Sequence, residues 1–96
     1  MSVRVYTLLT PGQKLEIEAL SERKDRSVSY LIARAIDDHI GDVGTTDKTK
    51  AVATKKVFTR TTVSAAVDVK ERARLLECHD WQVVNSCVER YLKCAS

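Results

Sequence analysis

The sequence predicts a mainly α fold with a two-stranded antiparallel ribbon, in which the order strand, helix, helix is repeated twice in one chain. Three observations predict it. Residues 3–9 and 57–63 alternate as half-buried strands do. Thr10-Pro11 stands where a strand should stop and a helix begin. Apolar residues then recur at helical spacing over 31–40 and again over 83–92.

In the first strand Val3, Val5, Thr7 and Leu9 share one face, and Arg4, Tyr6 and Leu8 the other. Thr10 is a good N-cap, and Pro11 suits the first helical position, where its missing N–H is not needed. The helix is expected to run to about Lys24, with Leu15, Ile17, Ala19 and Leu20 as its apolar side. Lys24-Asp25-Arg26 is a polar break in which Asp25 suits the left-handed conformation. Ser27 caps the next helix, whose apolar stripe is Leu31, Ile32, Ala35, Ile36 and Ile40, and Gly41 is expected as its glycine cap.

The pattern returns after GDVGTTDKTKAVATKK, a small, polar, lysine-rich stretch expected to be a flexible linker. In VFTRTTV, Val57, Thr59, Thr61 and Val63 share one face, and Phe58, Arg60 and Thr62 the other. Ser64 is the expected N-cap, with Ala65 in the proline's place. Val69, Ala73 and Leu76 form a helical stripe; Cys78-His79-Asp80 breaks it, and Val83, Val84, Cys87, Val88, Tyr91 and Leu92 form the last one. Laid over each other, the strands stand 54 positions apart (3 to 57) and the final helices 52 (31 to 83), a degenerate duplication. The expected organisation is a first repeat at 1–40, a linker at 41–56 and a second repeat at 57–96, together one compact pseudo-dimeric domain.

Composition narrows the function classes. A chain of 96 residues has room for one compact domain, and 44% hydrophobic with 30% charged residues suits a soluble globule. Nothing approaches the roughly 20 apolar residues of a membrane span, and no apolar signal block opens the chain, so a cytoplasmic protein without a membrane role is expected. Cys78, Cys87 and Cys94 include no CxxC pair and leave one thiol over, against a disulfide framework; Cys78-His79 with Cys87 lacks metal-ligand spacing. No metal or cofactor is expected. His39 and His79 have no matching nucleophile or carboxylate motif, so the chain is not expected to be an enzyme; His39 suits the negative end of a helix dipole. The net charge of +3 permits nucleic-acid binding. Residues 1–40, however, carry six basic and six acidic side chains, so any cationic face requires the charges to be segregated in space.

A lone strand with two short helices cannot close a core, so two such units must pair. The segment LTPGQKLEIEALSERKDRSVSYLIARAIDDHI resembles the MetJ/Arc/CopG family of ribbon-helix-helix DNA-binding proteins, most closely in LTPGQ and RSVSYLIARAI. The second repeat is similar in pattern, with CHDWQ where RSVS stands in the first. Two units in one chain resemble the tandem accessory proteins of conjugative relaxosomes, of the TraY kind.

The resemblance implies that the ribbon enters the major groove of double-stranded DNA, with Arg4, Tyr6, Leu8, Phe58, Arg60 and Thr62 toward the bases. Arg4 and Arg60 match guanine, while Leu8 and Phe58 either meet thymine methyls or cap the core. Ser27, Val28 and Ser29 at the second helix start are the implied phosphate contacts, with Trp81 and Gln82 in the other repeat. Asp80 there would repel phosphate, and a tryptophan is more often a core plug than a ligand contact. The implied roles are an accessory factor in plasmid DNA transfer, with a relaxase or other relaxosome protein as partner, or a transcriptional repressor. The alternative is an antitoxin whose C-terminal half binds a toxin. A 16-residue linker (41 to 56) reaches roughly 50 Å, beyond the roughly 30 Å width of such a domain. A monomeric pseudo-dimer is therefore favoured over a homodimer, and it would read a non-palindromic element.

Overall fold

The computed structural model describes residues 2–43 and 55–95, in which a two-stranded antiparallel sheet is combined with four helices. The order is β1 (Ser2–Leu9), α1 (Pro11–Lys24), α2 (Val28–His39), a 3-10 turn (Ile40–Asp42), β2 (Lys55–Thr62), α3 (Val63–Leu75) and α4 (Asp80–Ala95). β1 and β2 pair with each other, so the ribbon closes within the chain. Ser2 stands opposite Thr62, Arg4 opposite Arg60, Tyr6 opposite Phe58 and Leu8 opposite Lys56.

Each helix begins and ends for a local reason. Thr10 is extended (φ −71°, ψ 157°); its hydroxyl accepts the Gln13 N–H at 3.1 Å, and the Gln13 side chain accepts the Thr10 N–H at 3.0 Å. That is a complete capping box, with Pro11 in the first turn. α1 stops at Asp25, which adopts the left-handed conformation (φ 53°), and the Arg26 N–H then closes onto the Ser21 carbonyl. Ser27 caps α2 by accepting the Tyr30 N–H at 3.1 Å.

The second half departs from the expected boundaries. Its cap is Thr62, whose hydroxyl accepts the Ala65 N–H at 3.1 Å, and not Ser64, which lies exposed within the first turn of α3. Thr62 is the last extended residue (φ −69°, ψ 158°), and the chain turns into the helix at Val63. Thr10 and Thr62 stand 52 positions apart, as do Leu31 and Val83, so the two-residue difference expected between the halves is absent. Asp25 and Glu77, both left-handed, keep the same interval. Thr62→Ala is expected to cost about 1 kcal/mol of stability and Ser64→Ala close to nothing, a contrast that urea denaturation measures.

Three further boundaries are corrected. No described glycine has a positive φ, and Gly41 is no left-handed cap: α2 tightens into the 3-10 turn, with Ile40 still right-handed. In α1, Ile17 and Leu20 are buried while Leu15 and Ala19 face solvent, because only the former lie on the stripe turned to the core. Of the expected linker 41–56, Val43 is fully buried and Lys55 and Lys56 belong to β2; residues 44–54 lie outside the described part.

One hydrophobic cluster draws on every helix and on the ribbon. Leu9 and Ile17 join Leu31, Ile32, Ala35 and Ile36 of α2, and Val83, Val84, Cys87 and Val88 of α4, with Val69 and Ala73 of α3 closing the far side. Among the described residues, no helix is long and apolar enough to cross a membrane. Cys87 is buried in this cluster, Cys78 is half-buried and Cys94 is exposed, all three as free thiols. Burial pushes the Cys87 thiol from 9.0 up to about 12. Under native conditions an alkylating reagent should take Cys94 first, Cys78 more slowly and Cys87 only on unfolding, as mass spectrometry would read. Because the folded thiol keeps its proton where the unfolded one loses it, Cys87 also lowers stability as pH rises from about 9 to about 12.

Candidate nucleic-acid interface

Alternation along the two strands sorts their side chains into an inner and an outer face. Thr7, Leu9, Thr59 and Thr61 are buried, whereas Arg4, Tyr6, Phe58, Arg60 and Thr62 are exposed and Leu8 is half-exposed. All six residues expected on the groove side therefore lie on one outer face.

At its centre Tyr6 and Phe58 stand opposite each other, ring centres 6.3 Å apart and tilted by 55°. A cation covers each ring: the Arg4 guanidinium lies 4.0 Å from the Phe58 centre, and the Lys56 ammonium 4.8 Å from that of Tyr6. These contacts are of the cation–π kind, modest in strength at exposed sites. They hold two charged groups upright over a ring pair that solvent reaches. Lys56 escaped the sequence reading because it sits in a run of lysines counted with the linker. Its position two residues before Phe58, in step with Phe58 and Arg60, was the available signal.

Neither strand contains an acidic residue, and Arg4, Lys55, Lys56 and Arg60 give the ribbon four cations. The acidic side chains of the described residues all lie on the helices and the turns that end them. The balanced charge of each half is thus separated in space, with the ribbon as the purely cationic element.

Two threonines of the inner face position the helix starts. The Thr59 hydroxyl donates to the Ser29 carbonyl at 2.5 Å and accepts from the Ser29 hydroxyl at 3.0 Å. Its counterpart Thr7 donates to the Trp81 carbonyl at 3.1 Å. α2 is thereby tied to β2 and α4 to β1, each with its N-terminus beside the outer face. Arg4, Ser29, Phe58, Thr59 and Arg60 surround one shallow hollow there.

The expected phosphate residues fare unequally. Ser27 holds its cap, Val28 packs half-buried against the core, and the Ser29 hydroxyl is turned to Thr59. Trp81 is half-buried, and the Gln82 side chain accepts the His79 N–H at 2.8 Å, closing the start of α4 on itself. What α2 offers outward is its backbone N–H end, with no acid in the first turn; α4 carries Asp80 there. Of the six base-facing residues, Thr62 has its hydroxyl engaged in capping.

Asn85 was not singled out from sequence. It is buried, and its amide donates to the Leu8 carbonyl at 2.8 Å and to the Gln13 side chain at 2.9 Å, linking α4, β1 and α1. No local pattern marks it, since its partners lie 77 and 72 residues away. Among the described residues, no group of three His, Cys, Asp or Glu side chains is placed to hold a metal ion. No family model, no curated protein and no solved structure matches the chain.

Proposed function

We propose that the chain is a tandem ribbon-helix-helix protein that binds double-stranded DNA, laying the outer face of β1 and β2 in the major groove. The observation that carries this reading is the composition of that face: two aromatic rings among cations, with no acid in either strand. A two-stranded ribbon fits the major groove, whose guanine edge offers paired acceptors to arginine and whose thymine methyl suits an apolar side chain. Phosphates on either flank suit backbone N–H groups at a helix start, which Ser27 to Ser29 supply.

The constant interval of 52 between the caps Thr10 and Thr62 supports the tandem reading, and pairing of β1 with β2 supports a monomer that serves as its own dimer. An accessory role in plasmid DNA transfer, beside a relaxase, and transcriptional repression use the same DNA-binding face. The antitoxin reading is less well supported, because residues 57–96 supply half of the ribbon and a large share of the core.

Light scattering and duplex binding on one sample test the proposal. The expected result is a species near 10.8 kDa that retains mixed-sequence duplex at low salt and releases it linearly in log affinity against log salt. No retention at low salt would refute DNA binding, and a mass near twice that value would refute the self-paired monomer.

A further inference from the structure

The register of the ribbon makes its outer face two-sided. Tyr6 and Phe58 are opposite each other, so a half-turn about their midpoint exchanges Arg4 with Lys56 and Leu8 with Arg60. The first exchange conserves chemistry: a cation lies over an aromatic ring on both sides. The second does not. One side of the centre presents Arg4 and Arg60, and the other presents Leu8 and Lys56.

The two edges of the ribbon differ as well. Next to Arg60 on β2, Thr59 holds the start of α2, which has no acidic residue in its first turn. Next to Leu8 on β1, Thr7 holds the start of α4, which opens with Asp80. The edge along β2 is thus one where a phosphate meets no carboxylate, whereas the edge along β1 carries Asp80, which lines a hollow with Arg4 and Tyr6.

Resting on the DNA-binding reading above, we infer that the protein recognises a polar, non-palindromic duplex site. Arg60 reads a guanine on one side of the site's centre, and Leu8 meets a thymine methyl at the mirror position on the other. Arginine pairs with the O6 and N7 acceptors of guanine in two parallel hydrogen bonds, whereas leucine offers no donor and leaves those acceptors unpaired. Arg4 and Lys56 tolerate guanine on both sides and set no polarity. The residue that decides orientation is therefore the Arg60/Leu8 pair, and the protein lies on its site in one direction.

Selection of the full-length chain against a pool of random duplexes tests this. The expected enriched site has guanine at the Arg60 position on one side only and thymine at its mirror position. Converting that site to a palindrome with guanine on both sides should weaken binding roughly tenfold, and Leu8→Arg should restore it. Arg60→Leu, at an exposed position that the fold does not need, should abolish the guanine preference at that position and leave leucine at both mirror positions. A palindromic site enriched by the unchanged protein, or a site unaltered by both substitutions, would overturn the inference. Retention of the pool without enrichment would overturn it while leaving DNA binding intact; no retention at all would remove both.

Discussion

Ile32→Ala is expected to lower stability by about 2–5 kcal/mol and to do so for both halves of the chain at once. Ile32 is fully buried, and its cluster includes Val69 of α3 and Val84 and Val88 of α4 as well as Ile17 of α1. Removing three carbons there leaves a void that rigid neighbours on every side fill poorly. Because β1 pairs with β2 and, among the described residues, with no other strand, neither half has a sheet of its own, and one core cluster draws on both. Urea denaturation followed by Trp81 fluorescence, which reports on α4, and by far-ultraviolet dichroism, which reports on all helices, should give one shared midpoint, shifted equally. Leu15→Ala is the control: at 70% exposure it should change stability by less than about 0.5 kcal/mol. Two separate transitions would mean that the halves fold independently.

Arg4→Ala and Arg60→Ala should each weaken duplex binding by roughly 5- to 150-fold, the equivalent of about 1–3 kcal/mol for a paired arginine–guanine contact. Their effect on folding should be small. Both side chains are exposed, and the contact of Arg4 with the Phe58 ring is of a kind worth about 0.5–1 kcal/mol at such sites. Arg34 makes the comparison: it is exposed on α2, 3.6 Å from Asp38, away from the ribbon. Fluorescence anisotropy with a labelled duplex should find Arg34→Ala close to the unchanged protein. Equal losses for all three would mean that the ribbon has no special part in binding.

Much of the fold was legible because its signals are local. The alternation in β1 assigned Arg4, Tyr6 and Leu8 to one face without knowledge of the partner strand, since a strand's period of two fixes the faces. Thr10, Asp25 and Ser27 were legible from capping chemistry, which involves residues at most a turn away. Thr62 was not, because Ser64 two positions on is chemically just as good a cap. The choice shows only in the pairing of distant strands, where Thr62 is still extended opposite Ser2.

The same distinction governs the site. Phe58 and Arg60 were assigned to the outer face by alternation, but Lys56 was hidden in a lysine run until its pairing with Leu8 placed it on that face. Thr7 and Thr59 were read only as inward-facing. Their bonds to the starts of α4 and α2 join residues 74 and 30 positions apart, beyond any local pattern. Glu77 in the left-handed conformation was equally hidden, since a glutamate is no usual choice for it.

The most direct measurement is backbone amide mapping by nuclear magnetic resonance of the full chain during titration with a duplex that it retains at low salt. Binding through the ribbon requires the largest shifts at Arg4, Tyr6, Lys56, Phe58 and Arg60 and at the start of α2, with the exposed face of α3 around Glu71 and Leu75 unchanged. Shifts centred on that α3 face, with the ribbon amides unmoved, would contradict it.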